Sequence, residues 1–446
     1  MVRNPRIAAA VAAVLATGAS GYALATQPTP AAAAAPSVAL YISGSSAAKP
    51  AILGALETGL CGGVYSSFSS TGDTNFFAVS CTPAASTGIT SANGTNIFTI
   101  WYRDEGGSVT GALPIVSGSN INQMNISGAT GSGGVYTVSI GGSSAINGID
   151  DSFTGGVMKE PVQLGVTDVE PGALIGDNYP SAYKSSVYGT ASAAQLLALT
   201  KTPVFQQVFG IFVNTSGGAF TAAEQATLNL SKAAITNLLQ GNTTDWGAAE
   251  DITGHAVTAT GNPVTIINRE QGSGSRTAAS IYFTEDNCNS TAASILESTG
   301  GTADFFSTGN VLAAANIVPG AITYASIDNA GSYANLTLVS VNGILPTNLA
   351  AAQGQYDFWY EATLVANSKT TLTPSQTSLI AYLTPQFQTL ATAPHAVDVL
   401  AIPGKGSPAN AATLPPTPNG SATVKTIYVN PFTRSGNSCK SPLSSI

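Results

Sequence analysis

Apolar positions in this chain fall in short blocks set off by glycine, serine, threonine and asparagine. "VALYISG" (38–44) predicts a strand leading into "SSAAKPAILGALETGL", where apolar residues take helical spacing after Pro50. "NIFTIWYR" (96–103) and "PVQLGVTD" (161–168) predict two further strands, and "PVFQQVFGIFVNTS" (203–216) a long extended passage. Leu228, Leu230, Ile235, Leu238 and Leu239 lay a helical stripe along 222–241, stopped by Gly241. "PVTIINR" (263–269), "GAITYAS" (320–326) and "LTLVSVNG" (336–343) predict more strands, and "YDFWYEATLVAN" (356–367) a second long extended run. A Pro/Gly-rich loop (404–420) precedes a last strand, "TVKTIYVNPF" (423–432). Gly404-Lys405-Gly406 within it lacks phosphate-loop spacing and reads as a turn. Strands alternating with helices predict an α/β fold of parallel sheets covered by helices. No internal repeat is evident.

Length and composition narrow the function. With 446 residues, 44% hydrophobic and 9% charged, the chain is long enough for two domains with real cores. Its first 25 residues have the pattern of a secretory signal: Arg3 and Arg6, then an apolar stretch from Ile7 to Ala16, then Ala23-Leu24-Ala25. That stretch is too short to span a bilayer as a mature helix. Residues 26–37 read as an Ala/Pro-rich spacer, and no cysteine precedes Cys61 to carry a lipid. A protein exported to the periplasm or the medium, without a membrane anchor, is expected. The formal charge of −8 becomes more acidic once Arg3 and Arg6 are removed, which disfavours nucleic acid and anionic membranes as partners.

Four cysteines in an exported chain predict disulfides. Of three connectivities, Cys61–Cys81 with Cys288–Cys439 is favoured, the first closing a local loop and the second tying the C-terminal tail to the body. No Cys stands at metal-ligand spacing to another Cys or a His, and His255 and His395 are the only histidines, so no metal or other cofactor is expected.

Candidate chemistry concentrates in 263–283. A strand ending at Arg269 delivers a guanidinium to the carboxyl edge of a sheet, where open α/β folds place ligands. Gly272 and Gly274 permit a tight turn and close approach to a ligand, Ser273 and Ser275 add hydroxyls, and Ala278, Ile281 and Tyr282 give the following helix one apolar face. Free N–H groups at the helix start and a planar fork beside them make a cradle for an oxyanion. A plain Gly-rich turn with a capping serine is the alternative from this loop alone.

"R-E-Q-G-S-G-S" (269–275) resembles the R-x-x-G-S-G-T loop of periplasmic phosphate-binding proteins of ABC transporters, within the type 2 periplasmic-binding-protein superfamily. "ISGSSAAKP" (42–50), "LGVTDVEP" (164–171), "LNLSKAAITNLLQGNTTDW" (228–246), "PGAITYAS" (319–326) and "GQYDFWYEATL" (354–364) resemble further segments of that family in the same order, between about 38 and 400. The resemblance implies a two-lobed α/β fold with two extended crossovers and a ligand cleft between the lobes. Lobe I would comprise 38–206 and 356–446, and lobe II 207–355. It also implies that Arg269, Ser273, Gly274 and Ser275 bind the anion from one side, with Ser45, Ser46 and the N–H groups near Ala48 and Lys49 on the other. Asp168 would match an aspartate that accepts a proton from the bound anion, so that phosphate is favoured over the fully ionised sulfate. Ser108, in "DEGGSVTG", is a further candidate. The sequence departs from the family pattern in placing Gln271 where an aspartate pairs with the arginine. It also has alanine at 47 and 48, and brings Asp104 and Glu105 near the cleft, where they would oppose an anion or favour a ligand with a cationic part.

The function expected is capture of phosphate or a related oxyanion by hinge closure. The protein would act as a monomer, delivering the anion to an ABC permease or working unanchored outside the cell. The alternatives are a secreted phosphomonoesterase on the same fold, for which no metal or nucleophile motif is present, and an extracellular protein that binds partners without a ligand. Residues 117–150, a Gly-rich polar stretch, read as solvated hairpins.

Overall fold

The computed structural model describes residues 26–141, 153–179, 188–218, 220–286, 288, 294–367, 369, 371–389, 399–402 and 430–444. The expected signal segment, the 404–420 loop with its Gly404-Lys405-Gly406 turn, His395 and most of the 423–432 strand lie outside these residues.

The strand Val38–Gly44 runs parallel to Phe98–Arg103 on one edge and to Leu164–Thr167 on the other. Leu40, Ile42, Phe98, Ile100, Tyr102 and Val166 are all fully buried, as central parallel strands covered on both faces must be. Helix Lys49–Gly54, which widens into π-type turns through Leu60, packs Ala51, Ile52, Ala55 and Leu56 on that sheet. Helix Pro374–Thr389 adds Leu379, Leu383 and Phe387. The sheet is mixed rather than parallel, since the hairpin Ser66–Thr71/Phe76–Cys81 extends it antiparallel and Trp359–Ala366 closes antiparallel on Leu164–Thr167.

Fourteen residues, Lys201–Asn214, form one strand that belongs to two sheets. From Lys201 to Val208 it pairs antiparallel with Trp359–Ala366. From Phe209 to Val213 it pairs instead with Ala321–Ser326, and Leu336–Leu338 joins its far end. At about 3.3 Å per residue such a strand spans roughly 45 Å, long enough to pass from one body to the next. The chain between Asn214 and Trp359 therefore hangs on a pair of crossing strands as a second α/β body. Its core gathers Ile235, Leu238, Leu239, Trp246, Ile322 and Tyr324, and is continuous with Val109, Leu113, Val169 and Leu174 of the first. Among the described residues no helix is long and apolar enough to cross a membrane.

Several local expectations are corrected. Residues 26–37 are no free spacer: Thr29 caps a helix Pro30–Ala34, Ala33 is fully buried, and Ser66 and Thr99 donate to the carbonyls of Pro28 and Ala33. The helix over 222–241 is two helices, Ala222–Thr227 and Lys232–Leu239, because Asn229–Leu230 leaves to pair with Ser340–Val341. That pairing also divides the strand expected over 336–343. In 263–269 only Thr265–Ile266 are strand, parallel to Ala321–Ile322. In the 117–150 stretch, Asn120–Met124 pairs with Val157–Pro161 and Val135–Ser139 with Ser66–Thr71. Met124, Ile126, Val138 and Ile140 are buried beside Phe68, Phe76 and Trp101, whereas Thr130–Ser132 and Val135–Ser139 form a largely exposed antiparallel hairpin, so the described part of this insertion is partly core and partly the solvated hairpin expected.

Disulfides join Cys61 to Cys81 and Cys288 to Cys439. The second fastens the C-terminal segment, whose Arg434 donates to the carbonyls of Asp357, Trp359 and Lys440 and lies 4.4 Å from the Tyr360 ring centroid.

Candidate functional site

Four short segments meet where the two bodies touch. Strand Val38–Gly44 ends at Gly44 with φ +138°, and a Cβ there would lie 1.9 Å from the Val166 carbonyl oxygen. Only glycine allows the close approach that turns Ser45 and Ser46 off the sheet edge. Ser45 Oγ accepts from Ala48 N (2.8 Å) and donates to Asp168 Oδ1. Asp168 follows the parallel neighbour Leu164–Thr167, and its N–H donates to Ser108 Oγ (2.8 Å), which in turn donates to Oδ2 (3.2 Å). Asp168 thus ties the ends of two strands to the Gly107–Gly111 turn.

The second body supplies Arg269, just beyond Thr265–Ile266. Gly272 has φ +86°, and its carbonyl accepts from Val109 N of the first body (2.9 Å). Ser273 caps helix Gly274–Ala279 by accepting from Arg276 N, and its hydroxyl lies 3.0 Å from that of Ser275. Gly274 sits directly on the first body: a Cβ there would meet Ser108 Oγ at 2.0 Å and Asp168 Oδ2 at 2.6 Å. Ser45, Ser46, Ser108, Asp168, Arg269, Ser273, Gly274 and Ser275 are therefore brought together, and all are buried.

Thr308 completes the cluster and was missed in the sequence. It opens the ten-residue helix Thr308–Ile317, capped by Ser307, and its N–H donates to Ser46 Oγ (3.2 Å). "FSTGNVLAAA", with a capping serine before an apolar run, carried the signal.

The electrostatics of Arg269 are unusual. Arg269 is 1% exposed, yet among the described residues no carboxylate lies within ion-pairing distance of its guanidinium. Nε donates to the Phe305 carbonyl (3.1 Å) and Nη2 to that of Phe306 (2.9 Å). Nη1 faces the hydroxyls of Ser46 (3.4 Å), Ser275 (3.2 Å) and Thr308 (3.0 Å). Burial pulls the guanidinium below its ordinary pKa, opposed by the charges of Glu270, Asp168 and Asp104. Arg276, seven residues on and also buried, shows the contrast: it is matched by Glu297 at 2.6 Å and Asp304 at 2.9 Å. A cation taken out of water and given only neutral contacts favours an anion from outside the chain.

Burial raises the Asp168 carboxyl above the usual carboxylate range, against the hydrogen bonds of Ser45 and Ser108 and the charge of Arg269. Of the two neighbouring acids, Glu105 is taken up by Arg103 (2.6 Å) and Asp104 by Lys49 (2.9 Å). Among the described residues no group of three His, Cys, Asp or Glu is placed to hold a metal. His255 is exposed and contacts Thr253 and Asp251 rather than the cluster.

No protein-family model matches the sequence, and no curated protein does. Among solved structures the chain is similar to a substrate-binding protein assigned to a phosphate ABC transporter of Clostridium perfringens, with phosphate bound (14% identity, 77% of this chain and 92% of that one, TM-score 0.44). It is also similar to an ABC-type phosphate transport receptor from Vibrio cholerae (12% identity, 77% and 93%, TM-score 0.39). A third is a phosphate-binding protein from Stenotrophomonas maltophilia (14% identity, 78% and 84%, TM-score 0.40). At such identities and scores, the functional reading rests on the geometry of this chain.

Proposed function

We propose that the chain is an exported solute-binding protein that captures phosphate or a related oxyanion between its two bodies, as a monomer, and passes it to an ABC-type permease. The observation that carries this reading is the buried Arg269, which among the described residues meets hydroxyls and carbonyls but no carboxylate at ion-pairing distance. Ser46 with Thr308 and Ser273 with Ser275 are hydroxyl pairs 3.0 Å apart. A hydroxyl rotates at little cost, so each pair can exchange its mutual bond for donation to an oxyanion. Charge-assisted bonds of this kind are stronger than the neutral ones they replace. Ser45, Ser46, Ser108 and Asp168 come from the first body, and Arg269, Ser273, Gly274, Ser275 and Thr308 from the second. An anion held by both sets favours the closed arrangement by its differential affinity for it.

Asp168 supplies discrimination. Its carboxylate accepts a proton from a protonated oxyanion but repels one that carries none, which favours hydrogen phosphate over sulfate. Export is supported by two disulfides and by the signal-like N-terminal pattern.

The test is calorimetric titration with phosphate and with sulfate, on protein freed of ligand by unfolding and refolding with disulfides intact. Micromolar or tighter phosphate binding that disappears in Arg269→Ala is the expected result. Absence of heat with both anions in the native protein overturns the proposal.

A further inference from the structure

Two acids follow the strand Phe98–Arg103 in the loop that leads to Ser108, and the structure disposes of them differently. Glu105 is buried against Arg103, a pair closed within the first body (2.6 Å). Asp104 is also fully buried, and among the described residues the Lys49 ammonium, 2.9 Å from Oδ2, is the only cation within ion-pairing distance. Among the described residues neither Asp104 oxygen receives a well-directed hydrogen bond, so the compensation is chiefly a matter of charge. Lys49 is steadied by the Phe77 ring, 4.1 Å from its centroid, and its side chain keeps 26% exposure. Asp104 stands behind the anion loop: its charge acts on Tyr102, whose hydroxyl donates to the Ser45 carbonyl, and on Arg269 itself.

We propose that Lys49 is a specificity-determining residue that lets the cluster accept an anion by cancelling the buried charge of Asp104, without touching the ligand. The inference rests on the oxyanion reading above. With Lys49 present, Asp104 and Lys49 sum to zero, and Glu270 and Asp168 remain as the acidic charges acting on Arg269. Without it, Asp104 adds a third, and an incoming oxyanion meets greater repulsion. Lys49 also occupies the first turn of helix Lys49–Gly54, where a cation is unfavourable to the helix itself, so its placement needs another cause.

Phosphate affinity measured by calorimetry for the native protein, Lys49→Met, Lys49→Arg, Asp104→Asn and the double variant Lys49→Met/Asp104→Asn tests this. Lys49→Met is expected to weaken phosphate binding by about tenfold or more, the scale of one charge–charge interaction in a partly buried site. Lys49→Arg should retain affinity, and the double variant should return to within about threefold of the native protein, because charge balance is restored. An unchanged affinity in Lys49→Met overturns the inference. So does a double variant as weak as the single one, which would make Lys49 a direct contact or a structural prop. If Lys49→Met fails to fold, Asp104→Asn alone decides: it leaves the lysine charge in excess, and binding must tighten; equal or weaker binding overturns the proposal. A native protein that gives no heat with phosphate removes the oxyanion reading, and this inference with it, an outcome distinct from all of these.

Discussion

Ser46 and Arg269, 223 residues apart in sequence, meet across the two bodies, with Oγ 3.4 Å from Nη1. The same hydroxyl accepts from Thr308 N, so it stands between a buried cation and the start of a ten-residue helix. Ser46→Ala removes a hydroxyl aimed at the place where an oxyanion would sit. A hydrogen bond to a charged group contributes about 1.5–3 kcal/mol, so phosphate affinity should fall about ten- to a hundredfold. Calorimetric titration checks this, with unfolding of the ligand-free protein changed much less.

Gly274→Ala tests the contact between the bodies. The added methyl would lie 2.0 Å from Ser108 Oγ and 2.6 Å from Asp168 Oδ2, which excludes the present arrangement unless one side retreats. Overpacking of this kind costs about 1–3 kcal/mol, and here the cost falls on closure rather than on either core. Phosphate binding should weaken about tenfold or more while the far-ultraviolet dichroism remains native. A variant that binds as tightly as the native protein would show that the bodies need not approach this closely.

Asp168 gives a pH dependence with a definite sign. Its carboxyl is raised, by burial first, so the folded state holds the proton more firmly than the unfolded chain does. The associated stability is complete below the unfolded value, about 4, and is lost as pH rises through the folded value. In ligand-free protein, Asp168→Asn should therefore raise the denaturation midpoint at pH 7, with a smaller effect at pH 4. The same variant replaces a repelling carboxylate by an amide donor, so sulfate should bind more tightly to it than to the native protein. Denaturant midpoints at the two pH values, with sulfate titration at pH 7, separate these effects.

The two disulfides should differ in their contribution. Cys61 and Cys81 are 20 residues apart, Cys288 and Cys439 151. Chain entropy alone gives about 3 kcal/mol for the shorter loop and about 5 kcal/mol for the longer. Arg434, through the carbonyls of Asp357 and Trp359, and Glu361, through Arg434 N, hold the C-terminal segment independently of the bond. Cys288→Ser/Cys439→Ser should thus lower stability by less than the entropic figure, while Cys61→Ser/Cys81→Ser comes close to its own. Guanidinium unfolding of the two paired variants measures both.

Strands whose apolar residues run continuously were legible: Val38–Gly44, Ala321–Ser326 and Trp359–Ala366 lie within the segments the pattern marked, and Lys201–Asn214 overlaps its segment, 203–216, from Pro203 on. Burial on both faces leaves few ways to place such runs, and their length excludes most others. Periodicity misled where two local signals competed. Leu228 to Leu239 keeps helical spacing, but Ser231 accepts from Ala234 N and starts a new helix, while Asn229–Leu230 finds a strand partner at Ser340–Val341, 111 residues on. The capping pairs Thr221 with Glu224 and Ser231 before Lys232 were available as signals. The alanine run 31–35 looked like a spacer because alanine says nothing of its surroundings, whereas its small side chains are what let that helix lie against Trp101.

By itself, then, the sequence determined the repertoire: which segments are extended, which glycines can turn, and that Arg269, Ser273, Gly274 and Ser275 share one loop. Tertiary structure decided the rest. It set Asp168 on Ser45 and Ser108, brought Ser46 and Thr308 to Arg269, and assigned Asp104 to Lys49 and Glu105 to Arg103. The reason is physical: local backbone preference is read from neighbours in the chain, but the cost of a buried charge depends on which groups the fold brings within a few ångströms of it.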